Sequence, residues 1–311
     1  MRAGARIEAD GRVVELSRPD KRLFGSGVTK RDLAEHYARV AETMLPHLAD
    51  RPLNFQRFPD GVERAGFFQQ HLPTHFPDWV DRAEVPKADG GTVTHLVVSD
   101  AASLVYLAGQ AVVTLHAWLS RRDRIDRPDR LVVDLDPSGG SADDVREAAL
   151  VCGALLRDEL GLEPFALATG SRGYHVVVPL QRRHGHDAVR AFAQDAGRVL
   201  VARHPETFTL EQRKERRGSR ILLDVQRNAY AHTAVAPYTV RARATAAVAT
   251  PLRWEELEDP ATRPDRWTVA SFARRLEEAG DPWAAIGDRP QALGAARRAL
   301  DALLRAEVAR S

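Results

Sequence analysis

Cysteine is almost missing. Cys152 stands alone among 311 residues, which excludes a disulfide framework and any zinc site built on several cysteines. Long apolar runs are missing too. None approaches the roughly 20 residues that span a bilayer, so no membrane partner is expected. The N-terminus, Met-Arg-Ala-Gly-Ala-Arg-Ile-Glu, lacks the apolar stretch of a secretory signal, and the expectation is a cytoplasmic protein. Lysine is scarce: Lys21, Lys30, Lys87 and Lys214 are the only ones, and the other cations are arginine. Guanidinium forks suit phosphates and carboxylates, but codon bias gives the same ratio, so local clusters carry more weight. Net charge is only +2, which excludes a polycation. The densest basic run is Arg213-Lys-Glu-Arg-Arg-Gly-Ser-Arg220.

What is present is a sizeable apolar fraction, 44%, enough for one large domain or two modest ones. The most informative stretch is Leu131-Val-Val-Asp-Leu-Asp-Pro137. Its apolar start reads as a buried strand. Strand side chains alternate, so Leu131, Val133 and Leu135 share one face while Val132, Asp134 and Asp136 share the other. Two carboxylates then stand side by side at the strand end. They repel unless a divalent cation, an arginine or a shared proton lies between them. Taken alone, an Asp-Pro pair that merely ends a strand is the simpler reading.

Upstream, residues 6–16 alternate around Asp10-Gly11, a hairpin signal. Thr29 opens a helix with Asp32 as its capping partner; Leu33, Tyr37, Val40, Met44 and Leu48 form the apolar stripe, and Pro46 marks a kink or the last turn. Lys21 and Lys30 lie near that helix start, where backbone N–H groups favour anions. Strands are expected over 51–58, 92–98 and 112–118, with a short helix from Ser99. Phe67 and Phe68 follow a glycine, and adjacent aromatics cannot both enter one core face, which leaves one free to stack on a base. His116 alternates with apolar neighbours, a pattern more often structural.

From residue 131 to 225 the order reads β-α-β-β-α-β, with Ser141 and Asp144 capping the first helix, a turn at 169–173 and a helix over 187–203. This split βαβ order sets the first strand between the third and the fourth, all antiparallel, with both helices on one face. It brings Asp134, Asp136, Asp224 and His175 to the open face. Three carboxylates without a Cys or His ligand set describe a hard-cation site for Mg²⁺ or Mn²⁺. A pair of such ions serves phosphoryl transfer; the same carboxylates suit a nuclease or a phosphatase. The turn Gly170-Ser-Arg-Gly173 offers N–H groups, Ser171 and Arg172 to a phosphate chain.

At this point the residues resemble a known family. The chain is similar to the polymerase domain of bacterial ligase D, the primase-polymerase module of non-homologous end joining, in the archaeo-eukaryotic primase superfamily. The likeness runs through Arg18-Pro-Asp-Lys21, Gly27-Val-Thr-Lys-Arg-Asp32, Arg51-Pro-Leu53, Arg57-Phe-Pro-Asp-Gly61, Phe67-Phe-Gln69, Val133-Asp-Leu-Asp-Pro137, Gly170-Ser-Arg-Gly-Tyr-His175, Leu223-Asp-Val-Gln-Arg-Asn228, and Ala234-Val-Ala-Pro-Tyr238 to Arg241.

The resemblance implies an α/β (α+β) primase-polymerase fold. The catalytic domain would span 1–285, with an N-terminal α/β subdomain to about 128 and a ferredoxin-like split βαβ sheet over about 130–245; a C-terminal helix would follow at 286–311. It implies that Asp134, Asp136 and Asp224 hold two Mg²⁺ or Mn²⁺ ions. Ser171, Arg172, His175 and Arg241 would meet the incoming triphosphate, His116 the sugar, Arg57 the nucleotide, and Phe67 and Phe68 the bases. Arg18, Lys21 and Lys30 would form a 5′-phosphate pocket, and Arg217 and Arg220 would follow the template. The implied partners are gapped or broken DNA with a 5′-phosphate, NTP or dNTP, a separate DNA ligase and Ku. The implied location is the nucleoid.

Three positions depart from the pattern. Arg18 stands where Asn is typical, Gln56 where a lysine often precedes, and Arg227 where some members carry Gln. No ligase or nuclease domain follows, which points to a stand-alone relative or an excised domain. The alternatives are a non-catalytic DNA-end bridging module and a primer-making primase.

Overall fold

The computed structural model describes residues 4–87 and 89–310. They form two compact units. The first takes the chain up to Ile125, then Thr233–Thr250 and Trp267–Asp281; the second takes Asp126–His232, Pro251–Arg266 and the chain from Pro282 onward.

The first unit opens with the hairpin β1 (Ala5–Ala9) and β2 (Arg12–Leu16). Its two-residue turn is Asp10-Gly11, both at positive φ, the backbone that matches strand twist. Helix α1 (Lys30–Leu48) carries the expected capping box of Thr29 and Asp32, with Pro46 in its last turn. Its stripe of Leu33, Tyr37, Val40, Met44 and Leu48 is buried. The strands β3 (Leu53–Arg57), β4 (Phe67–Gln69), β5 (Arg82–Pro86) and β6 (Thr92–Leu96) follow, then α2 (Ala101–Gly109) and β7 (Val112–Trp118). Helix α2 starts later than the sequence reading from Ser99. The Asp100 side chain accepts from the Ser103 N–H at 2.7 Å, and this carboxylate cap sets the first turn.

The second unit begins with β8 (Arg130–Pro137), α3 (Ala142–Ala154), β9 (Phe165–Ala168), β10 (Tyr174–Pro179), α4 (His186–Arg203), β11 (Phe208–Thr209) and β12 (Ile221–Asp224). Its sheet runs β11-β12-β8-β10-β9, with a sixth strand at Thr250–Leu252 beyond β9. The β12–β8, β8–β10 and β10–β9 pairs are antiparallel, the split βαβ arrangement. The short β11, parallel to β12, is an addition that two residues of sequence could not announce. Leu223, Leu135 and Tyr174 lie opposite one another and are fully buried. Helix α3 packs on β8 and β10, and α4 on β8. Ser141 and Asp144 form the second capping box.

The chain then returns to the first unit, where Thr233–Val235 pairs with β7. The sequence reading carried the metal-bearing sheet on to about 245; this pairing ends that unit's first segment at His232. The terminal helix, Leu293–Arg310, buries Leu293 and Leu300, while Val308 is 78% exposed. No helix of the described residues is long and apolar enough to cross a membrane.

Candidate active site

The register of three strands builds the site in the second unit. Asp134 lies opposite His175 on β10 and opposite Asp224 on β12; Asp136 lies two residues on, opposite Leu222. Directly paired residues point to the same side of a sheet. Asp134, Asp136, Asp224 and His175 therefore share the face opposite Leu135, Tyr174 and Leu223. The expected gathering of these four residues is present.

Three arginines and a histidine meet these carboxylates. Arg227 Nε donates to Asp134 Oδ2 at 3.1 Å and lies 3.3 Å from Asp224 Oδ2. His175 Nε2 stands 3.4 Å from Asp134 Oδ1. Asp136 meets Arg217 Nη1 at 3.3 Å and Arg172 Nη2 at 3.5 Å. The Gln226 N–H donates to Asp224 Oδ1 at 3.0 Å.

The field splits the two paired carboxyls. Burial pushes Asp134 up, but His175 and Arg227 outweigh it and hold Asp134 at about 2. Asp224 moves the other way, raised by burial and by the charge of Asp134, with Arg227 opposing. Two neighbouring carboxyls driven apart by their surroundings are a mark of functional sites.

Donor chemistry fits a hard divalent cation: carboxylate oxygens from adjacent strands, with no thiolate. Among the described residues, no three His, Cys, Asp or Glu side chains are already gathered as a metal cage. The carboxylates are turned toward guanidinium groups instead. Asp134 and Asp224 are direct cross-strand neighbours, whose Cβ atoms lie roughly 5 Å apart, close enough for both to reach one ion.

Beside Asp136 lies a cleft of about 340 Å³, lined by Ser171, Arg172, Arg263 and the loop before α3. Its turn is held tightly. A Cβ at Gly173 would sit 2.0 Å from the Leu135 carbonyl oxygen, so only glycine lets the turn reach β8. The Gly170 N–H donates to the Pro264 carbonyl at 2.8 Å, and the Tyr174 hydroxyl to that of Thr262 at 2.8 Å. These bonds carry Arg263 to the cleft. Sequence reading missed Arg263, because nothing local links it to a turn ninety positions earlier. It noted Arg227 as a departure without placing it among the carboxylates.

Arg217 is buried, its Nε donating to the Glu211 carbonyl and its Nη2 to that of Gln212. Arg220 donates to the carbonyls of Arg217 and Arg216. Both arginines brace their own loop, and Arg217 also faces Asp136.

The remaining sequence candidates lie in the first unit. Phe67 and Phe68 are both about half exposed, on a strand paired to β3. The Phe68 ring lies 5.2 Å from that of His116, and the Arg57 guanidinium 5.6 Å from the Phe67 ring. A Cβ at Gly66 would collide with the Phe58 ring, which explains the glycine before them. Arg241 is half-buried, its N–H donating to the Ala247 carbonyl at 2.7 Å.

Lys30 is buried rather than displayed. Its Nζ donates to the carbonyls of Ser17 (3.0 Å) and Gly109 (2.9 Å). Burial lowers its pKa, and the charges of Arg18, Lys21 and Arg57 lower it further. Lys21 donates to Asp60 Oδ1 at 3.0 Å and to the Pro59 carbonyl. Arg18 is exposed at positive φ. Arg18, Lys21 and Arg57 thus all lie within electrostatic reach of Lys30.

Residues 29–283 match the family described as LigD, primase-polymerase domain. The multifunctional non-homologous end joining protein LigD of Pseudomonas aeruginosa is 35% identical over 288 residues, covering 92% of this chain and 34% of that protein. The Mycolicibacterium smegmatis protein of the same name is 33% identical over 272 residues, covering 86% and 35%. A solved structure, the polymerase domain from Mycobacterium tuberculosis ligase D in complex with DNA, matches with a TM-score of 0.82 at 32% identity, over 89% of this chain and 99% of that one. The chain spans about a third of the length of these curated relatives.

Proposed function

The chain belongs to the LigD primase-polymerase family, and from that premise we propose that it is a template-dependent nucleotidyltransferase of DNA repair. It fills short gaps or ends of broken duplexes with NTP or dNTP. The observation that carries this reading is the register that sets Asp134, Asp136 and Asp224 on one sheet face. When bound, Mg²⁺ or Mn²⁺ ions would activate the primer hydroxyl and neutralise charge on the leaving group. Asp134, Asp136 and Asp224 are the side chains that would hold them.

The primer 3′-oxygen attacks the α-phosphorus, and the bond to pyrophosphate breaks. Ser171, Arg172 and His175 bind the phosphate chain, with Arg263 as a further cation in the cleft beside Arg172. Arg241 also meets the triphosphate, Arg57 the nucleotide and His116 its sugar, and Phe67 and Phe68 stack on bases. Arg18 and Lys21 supply positive charge for a 5′-phosphate, with buried Lys30 adding its charge from behind the Ser17 and Gly109 carbonyls, and Arg217 and Arg220 brace the loop that meets the template. The protein acts in the cytoplasm at the nucleoid, with a DNA ligase and Ku as partners.

The test is extension of a gapped, 5′-phosphorylated duplex, with NTP against dNTP and Mg²⁺ against Mn²⁺. Asp134→Ala and Asp136→Ala should fall to background. Extension by either variant at the wild-type rate would end the assignment. Failure of the wild type to incorporate any nucleotide would favour a DNA-end bridging role.

A further inference from the structure

We propose that Arg227 is a built-in counter-ion that competes with the divalent cation for Asp134 and Asp224, and that it swings out when the ion loads. The inference rests on reading these carboxylates as metal ligands. A single guanidinium nitrogen lies 3.1 Å from Asp134 and 3.3 Å from Asp224, so one cation bridges two strands. Three carboxylates here face three guanidinium groups, those of Arg227, Arg217 and Arg172, and formal charge balances without an ion. A doubly charged ion reaching the same oxygens would meet Arg227 a few ångströms away, and that repulsion is strong in a partly buried site.

The surroundings decide which arginine yields. Arg217 has a side chain only 9% exposed and is tied to two backbone carbonyls. Arg227 has a side chain 40% exposed, which gives it a route into solvent. Its backbone is fixed. Asn228, the next residue, is fully buried; its amide donates to the carbonyls of Val132 (2.7 Å) and Val225 (2.9 Å) and accepts from the Val132 N–H (2.9 Å). The motion is therefore a side-chain rotation on a rigid turn. Arg227 acts on the ion through the carboxylates, as a positioning residue that sets the cation concentration the site demands.

The test is Mn²⁺ titration of the whole protein, without DNA or nucleotide, read by loss of the free-ion electron paramagnetic resonance signal. Arg227→Gln keeps a polar side chain and removes the charge; it should bind Mn²⁺ roughly tenfold more tightly than wild type, the scale on which a neighbouring opposite charge acts. Arg227→Lys, which keeps the charge, should stay near wild type. In melting experiments, Mn²⁺ should raise the Tm of Arg227→Gln more than that of wild type. Arg227→Met replaces Arg227→Gln if the latter shows no cooperative melt in EDTA. Equal or weaker Mn²⁺ binding by the charge-free variant would overturn the counter-ion role, and so would binding by Arg227→Lys as tight as by Arg227→Gln. Asp134→Asn separates the two ideas. If it loses Mn²⁺ affinity while Arg227→Gln gains none, only the counter-ion falls. If Asp134→Asn binds as wild type does, the metal reading itself fails.

Discussion

Replacing Asp134 by Asn should destabilise the metal-free protein, against the common pattern in which removing an active-site carboxylate relieves repulsion. Burial alone would favour that relief. Here His175 at 3.4 Å and Arg227 at 3.1 Å win, and the carboxyl falls from its ordinary 3.8 to about 2. At about 1.4 kcal/mol per pH unit, the charged form contributes about 2 kcal/mol of stability. The side chain is only 14% exposed, so solvent screening removes little of this. The folded value lies below the unfolded one, so the contribution is complete above about pH 4 and is lost as pH falls through about 2. Urea denaturation in EDTA should show Asp134→Asn weaker by about 2 kcal/mol at pH 7, with the gap closing between pH 4 and 2. Asp224→Asn should go the other way. Its carboxyl is raised by burial and by Asp134, so its charge opposes folding at neutral pH and amide replacement should stabilise. An Asp134→Asn protein as stable as wild type at pH 7 would refute the reasoning, because it would mean that His175 and Arg227 do not compensate the buried charge.

Lys30→Met should cost about 1–3 kcal/mol in the same assay, because it leaves the Ser17 and Gly109 carbonyls without their donor. Lys21→Gln, on a more exposed pair with Asp60, should cost under about 1 kcal/mol but reduce any preference for a 5′-phosphorylated gap, measured against an open primer. Gly173→Ala should cost about 3 kcal/mol or more, since its Cβ would meet the Leu135 carbonyl at 2.0 Å. Gly287→Ala, with open space around it, should stay within about 0.5 kcal/mol; thermal melts of the pair check the contrast.

Much of this was legible because it is local. The Asp-x-Asp alternation on β8 follows from strand geometry, and the two capping boxes follow from residue spacing. The split βαβ order then predicts the neighbours of β8, because few topologies accept that order. What stayed hidden depends on contacts distant in sequence. Arg263 joins the cleft only because Thr262 and Pro264 accept bonds from Tyr174 and Gly170. Burial of Lys30 depends on the Gly109 carbonyl, 79 residues away. The place of Arg227 between two carboxylates needs the Asn228 clamp on β8, which no periodicity reveals. Thr233–Val235 leaves the second unit because β7 offers it an edge.

The most direct measurement is a Mn²⁺-loaded crystal examined by anomalous scattering. The account predicts a manganese peak coordinated by Asp134, Asp136 and Asp224, with the Arg227 side chain turned away from the first and last of these. A peak elsewhere, or manganese bound while Asp224 still holds Arg227, would contradict it.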